Sequence, residues 1–161
     1  MIEVLVTIVL ISIGVLGMVA MQARTIAYTQ DSVQRNTAAV LADDLLEMLR
    51  ADTAKVLNAN GIPRTTSDYY KADGSSFPAK PNSCSPLPSA ASQRLGCWAA
   101  RVQDTLPDAA NLMASNFHVA KAGSAIEIKL AWRVKKGECL DVSANAGNDD
   151  TICHYIIRAE I

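Results

Sequence analysis

Residues Val4 to Ala23, VLVTIVLISIGVLGMVAMQA, run for twenty positions without a charge, and Thr7, Ser12 and Gln22 are the only clearly polar side chains among them. At about 1.5 Å per residue, a helix of that length spans about 30 Å, the hydrocarbon thickness of a bilayer. Serine and threonine in such a helix can return their hydroxyls to their own backbone. A secretory signal peptide would open on a positive flank, carry a shorter apolar core and end at a small-x-small cleavage site. Here Glu3 stands in the flank, no Lys or Arg precedes Arg24, and no clear A-x-A follows the core. The block therefore reads as a membrane-crossing helix ahead of a signal peptide, and its first 24 residues form the first expected segment of the chain.

Glu3 is the residue an ordinary anchor would not need. An ionised carboxylate inside hydrocarbon costs about 2.5 to 3.5 kcal/mol on insertion scales and normally finds a partner. Taken alone, the position reads first as a glutamate snorkelling to the headgroups. Its second reading is a polymerisation contact, in which a free α-amino group of its own or of a neighbouring subunit supplies the cation.

Beyond Arg24 the pattern becomes amphipathic, with neither Pro nor Gly until Gly61. Val33, Thr37, Val40, Leu41, Leu45, Met48, Leu49 and Val56 fall on one broad helical stripe, so a single helix of about 80 Å is expected from Ile2 to about Leu57. Residues 25–57 are its amphipathic half. Asn58, Asn60, Gly61 and Pro63 supply the stop. Gly14 and Gly17 either loosen the apolar half or let another helix approach closely. Asp43, Asp44 and Glu47 crowd one turn opposite the apolar stripe, with no His near them in sequence. They read as a solvated acidic face rather than acid–base or cation-binding machinery.

Residues 58–161 form the expected head. Five of the six prolines lie between residues 61 and 90, which reads as an irregular loop. Leu95, Trp98, Val102 and Leu106 recur at helical spacing, placing a short helix from Ala90 to Thr105 that Pro107 ends. Ala125 to Lys135 alternates, with Ile126, Ile128, Leu130, Trp132 and Val134 on one side, so it reads as a half-buried strand. Asn116 to Lys121 would pair with it through the Ala122-Gly123-Ser124 turn. Ile152 to Ile161 gives a last strand with Tyr155, Ile157 and Ala159 inward. The expected fold class is thus α+β, a long N-terminal helix packed on a small antiparallel sheet.

The four cysteines sit among Pro, Ser, Gly and Asn, as disulfides of an oxidising compartment do. They allow three connectivities, of which the local pairing Cys84–Cys97 and Cys139–Cys153, closing loops of fourteen and fifteen residues, is favoured. No C-x-x-C exists, and His118 and His154 follow no zinc-ligand pattern, so neither metal nor cofactor is expected. Asp141, Asn145, Asn148, Asp149 and Asp150 offer hard oxygen ligands but match no EF-hand. They read as a flexible polar loop for subunit contacts ahead of a calcium site. The sequence holds no G-x-S-x-G, H-E-x-x-H or phosphate-cradling glycine loop, and the expectation is a protein that is not an enzyme. A net charge of -1 leaves no basic excess for nucleic acid.

Met1-Ile2-Glu3-Val4-Leu5-Val6 and the apolar run to Met21 resemble the N-terminus of type IV pilins and pseudopilins, and LADDLLEMLRAD, Leu41 to Asp52, resembles the matching part of the PilV-type minor pilins. In that family a prepilin peptidase removes a short leader ending in Gly, the new N-terminal residue, usually Phe, is methylated, and the Glu aids docking into the growing filament. Of these features Glu3 alone carries over. The family usually has two more residues before this point, so the sequence is expected to begin slightly inside the mature chain. The resemblance implies a ladle-shaped structural subunit held in the bacterial inner membrane with a periplasmic head, then carried into an extracellular pilus. It implies other minor pilins, the major pilin and a tip adhesin as partners, and a complex that primes assembly. Pilins of this kind often carry a disulfide fencing off a C-terminal loop, which Cys139–Cys153 fits. A type II secretion pseudopilin and a membrane-anchored periplasmic binding module are the alternative readings.

Overall fold

The computed structural model describes residues 2–139 and 149–161. Helix α1 spans Ile2–Ala51, followed by a single short turn of helix, α2, over Thr53–Val56. The expected uninterrupted helix to Leu57 is thus broken at Asp52, whose backbone (φ -127°, ψ 47°) leaves the helical region. The cause is tertiary. Asp52 accepts a hydrogen bond from Arg94 at 2.6 Å and one from the Tyr69 hydroxyl at 3.3 Å, and aspartate has little helix preference to oppose that pull. The chain then turns as its asparagines and glycine predict. The Asn58 side-chain oxygen accepts from the Asn60 and Ile62 amides, and Gly61 takes a φ of 72°.

The buried face of α1 consists of Ala38, Leu41, Ala42, Leu45, Leu46 and Leu49. It is rotated from the stripe read in the sequence. Val33 and Val40 lie 54% and 66% exposed, while Ala38, Ala42 and Leu46 take their place in the core. Each fully buried leucine contributes about 1.5–3 kcal/mol relative to an exposed one, so this face holds the helix to the head. Residues 61 to 90 form no helix or strand of their own. Helix α3, Ala91–Thr105, buries Leu95, Trp98, Ala99 and Val102, and the Trp98 indole donates to the Leu41 carbonyl of α1 at 2.8 Å.

A second short helix, α4 (Ala109–Asn116), occupies a stretch in which no element was expected, and Asn116 belongs to it rather than to the first strand. Lys71 closes its far end, where the ammonium donates to the carbonyls of Ala114 and Phe117 at 2.7 and 2.6 Å. A cation there complements the C-terminal end of a helix. Burial pushes the pKa of this lysine down.

Three strands form the sheet in the order β1 (His118–Ala122), β2 (Ala125–Arg133) and β3 (Ile152–Ala159), both pairings antiparallel. Gly123 and Ser124 make the two-residue turn between β1 and β2, with Gly123 at φ 69°. Ile126, Ile128, Leu130 and Trp132 pair across to Ala159, Ile157, Tyr155 and Cys153, which fixes one apolar face. The first four are completely buried, and Tyr155, Ile157 and Ala159 pack against the same core. Strands β2 and β3 end two residues earlier than their alternation suggested, at Arg133 and Ala159.

Gly96 in the middle of α3 marks a close approach between layers. A Cβ there would lie 2.6 Å from the backbone oxygen of Ala79. No side-chain rotation relieves a clash with backbone, so Gly96→Ala is expected to cost about 1–3 kcal/mol despite the better helix propensity of alanine. A lowered urea midpoint is the readout, and an unchanged midpoint would mean that the segment at Pro78 and Ala79 yields freely.

Candidate functional site

The chain's most unusual surface is the first half of α1. From Ile2 to Met21 every large apolar side chain is more than half exposed, and the helix is long and apolar enough to cross a membrane. Its hydroxyl side chains are satisfied within the helix. Thr7 donates to the Val4 carbonyl at 2.9 Å and Ser12 to the Ile8 carbonyl at 2.7 Å, which removes the cost of taking a free hydroxyl into hydrocarbon. Among the described residues, nothing beyond the helix's own neighbouring backbone lies within 4 Å of where a Cβ on Gly14 or Gly17 would stand, so both leave room for another helix.

Glu3 lies in the first turn of α1, exposed, and no described cationic side chain pairs with it. The carboxylate is favourably placed toward the positive end of the helix dipole. The acidic turn further along behaves as a surface. Asp44 pairs with Arg101 of α3 at 2.7 Å and Glu47 with Arg50 at 2.7 Å, both in solvent, where such pairs contribute little.

Both local cysteine pairs are joined, Cys84 to Cys97 with Cα atoms 5.8 Å apart and Cys139 to Cys153 with Cα atoms 5.6 Å apart. The first ties the proline-rich loop to α3, and the second ties the segment after β2 to β3. Of the polar loop, Asp141, Asn145 and Asn148 lie outside the described residues. Asp149 accepts from the amide and hydroxyl of Thr151, whose bonds hold its carboxyl below the ordinary value, and Asp150 lies 3.4 Å from Lys136.

The histidines are apart. His118 lies between Glu127 at 2.6 Å and Asp73 at 3.4 Å. Glu127 also accepts from Arg158. Partial burial pushes its carboxyl up, but the bonds from Arg158 and His118 outweigh burial and hold it below its usual range. His154 is buried on β3 with Asn116 3.4 Å from its ring, and burial together with the charge of Lys129 pushes its pKa down to about 4.

No family model, curated protein or solved structure matches the chain. The working parts must therefore be read from geometry.

Two groups escaped the reading of the sequence. Asp52, Arg94 and Tyr69 form the joint where α1 ends, with the guanidinium 5.6 Å above the tyrosine ring. Burial pushes the Tyr69 phenol up to about 12, against the opposing pull of Arg94. Asp31 is the second. It is 1% exposed at the point where α1 meets the head, and one of its oxygens accepts the Trp132 indole N–H at 3.0 Å. An aspartate in an amphipathic stretch reads as solvated, and only the partner 101 positions later shows otherwise. Above these joints an open groove of about 440 Å³ separates α1 from α3, lined by Val33, Thr37, Val40, Leu41, Arg101 and Thr105.

Proposed function

We propose that this chain is a minor pilin, a structural subunit of a type IV pilus that helps prime assembly within a complex of minor pilins near the tip. In this reading it is held in the bacterial inner membrane by the exposed half of α1, with its head in the periplasm, and later joins the extracellular filament. One observation carries the reading: a single 50-residue helix whose first half is apolar and bare, whose second half is clamped by a small head, and whose first turn carries Glu3. On this reading the long helix and small head make up a pilin-like ladle.

A bare apolar helix of this sort can leave lipid for a bundle of neighbouring helices at little net cost, because lipid tails are as apolar as leucine and packing decides the balance. The carboxylate of Glu3, which pairs with no cationic side chain among the described residues, then supplies direction. It gains most where a neighbouring N-terminal amine meets it away from water. The groove beside Val33 and Val40, with Asp44 and Arg101 among its lining, is where the helix of another pilin would rest beyond the membrane. No step in this role asks for catalysis.

Glu3→Ala is expected to reduce recovery of the protein in sheared surface filaments at least several-fold while leaving the melting of the head unchanged. The protein is followed by intact mass in native membranes and in filaments, with and without reductant. Processed, methylated chain in both fractions, four hydrogens lighter before reduction, is the expected result. Unchanged incorporation of the variant would overturn the role of Glu3, and an unprocessed monomer confined to membranes would favour an anchored binding module.

A further inference from the structure

We infer that Asp31, Cys139 and Cys153 form a latent site for a thiophilic divalent cation, zinc by preference, that opens when the Cys139–Cys153 disulfide is reduced. The three come from the middle of α1, the segment after β2, and β3, and a carboxylate oxygen and the two sulfur atoms all lie within 4.8 Å of one another. Tetrahedral zinc with sulfur at about 2.3 Å and oxygen at about 2.0 Å holds neighbouring ligand atoms about 3.5–4 Å apart, so the required rearrangement is local. All three residues are largely withdrawn from water. Asp31 and Cys153 are buried and Cys139 is half-buried, which disfavours competition by solvent for the cation.

The carboxylate is also held in place. The Trp132 indole donates to Asp31 Oδ1 at 3.0 Å, the kind of outer hydrogen bond that orients a metal-binding carboxylate. Two thiolates and one carboxylate with a water in the fourth position suit zinc, whereas calcium and magnesium take oxygen donors alone. The chemistry balances. A dithiol reductant delivers two electrons and two protons, the Cys139–Cys153 bond breaks to give two thiols, and the dithiol leaves as its own disulfide. Zinc then displaces the two thiol protons as the thiolates bind. The tie between the segment after β2 and β3 becomes a three-way tie that includes α1. A chain that has lost this disulfide thereby keeps its long helix fastened to its sheet.

The test uses the full chain in detergent micelles, oxidised or fully reduced, titrated with Co²⁺ as the spectroscopic probe and with Zn²⁺ in competition. Reduced protein is expected to bind one Co²⁺ with thiolate charge-transfer bands that Zn²⁺ abolishes, and the oxidised protein to bind none. Asp31→Asn retains an oxygen to accept from Trp132 but should weaken binding at least tenfold and change the ligand-field bands. Cys139→Ser should abolish it. Zn²⁺ should also raise the melting temperature of the reduced wild type and not of Cys139→Ser. Absence of binding to reduced protein, affinity unaffected by Asp31→Asn, binding that persists in Cys139→Ser through Cys84 and Cys97, or a reduced head that melts identically with and without Zn²⁺ would each overturn the site.

Discussion

Trp132→Ala is expected to lower the stability of the head by about 5 kcal/mol, enough to leave many such domains largely unfolded. Truncating a fully buried tryptophan costs about 3–5 kcal/mol through lost transfer energy and the cavity left behind. Here a second cost is added, because the indole N–H is the donor to Asp31, and a buried acceptor deprived of its donor costs about 1–3 kcal/mol more. The two terms share one cavity that water can enter, so they do not add fully. Arg35, whose guanidinium lies 5.7 Å from the ring centroid, also loses the surface it covers. Trp132→Phe separates the terms, since it keeps most of the ring and removes the donor, and a loss of about 2 kcal/mol is expected. Urea unfolding in detergent, followed by the fluorescence of Trp98, measures both. A loss below about 1 kcal/mol for the alanine variant would mean that the helix is held to the sheet elsewhere.

That joint shows where the reading of the sequence stopped. The alternation of Ile126, Ile128, Leu130 and Trp132 placed the ring on the buried side of β2, and the structure agrees. Period and apolarity suffice for that, because a strand has two faces and only one is apolar. Which residue of α1 would meet the ring was beyond them. A helix offers a continuous circle of directions, and the apolar stripe from Val33 to Val56 fitted several rotations. The core selects the one that buries the small Ala38 and Ala42 and leaves Val33 and Val40 outside.

The ends of elements were lost for a related reason. Asp52 leaves the helix because Arg94, 42 positions later, takes its carboxylate, and no local propensity reports a partner so distant. Helix α4 is a different failure. Asp108 precedes the helix-favouring pair Ala109 and Ala110, a start signal that went unread after Pro107, although the Asp108 side chain makes no cap bond and burial of Leu112 and Met113 holds the helix. Asp108 takes a φ of 57° there, and the bonds from Arg133 and Asn111 hold its carboxyl below its usual value. The apolar half of α1 was fully legible because its length and composition act without any tertiary partner. The cysteine pairs were legible as local loops, whereas the approach of Asp31 to Cys139 and Cys153 depends on the final packing of helix against sheet.

Acidification offers the sharpest test of another buried polar position, His154. His154 is 2% exposed, and its pKa falls from 6.5 to about 4 because burial, and then the positive Lys129, disfavour the imidazolium. The unfolded chain therefore binds a proton at pH values where the folded chain does not, and stability must fall as the pH drops from about 6.5 toward 4. A shift of this size corresponds to about 3 kcal/mol across the window, at about 1.4 kcal/mol per pH unit between the two pKa values. The carboxylates with depressed values, the partly exposed Asp108 and the exposed Asp149, lose their stabilisation at lower pH, as does Glu127, and they act alike in wild type and variant. His154→Gln keeps a polar group for Asn116 and carries no proton through this range. Urea unfolding at pH 7, 5.5 and 4 should thus show the wild type losing about 3 kcal/mol more than His154→Gln, with most of the difference between pH 6.5 and 4.5. Parallel pH profiles would place the wild-type imidazole in a solvated setting and return the acid sensitivity of the head to its carboxylates.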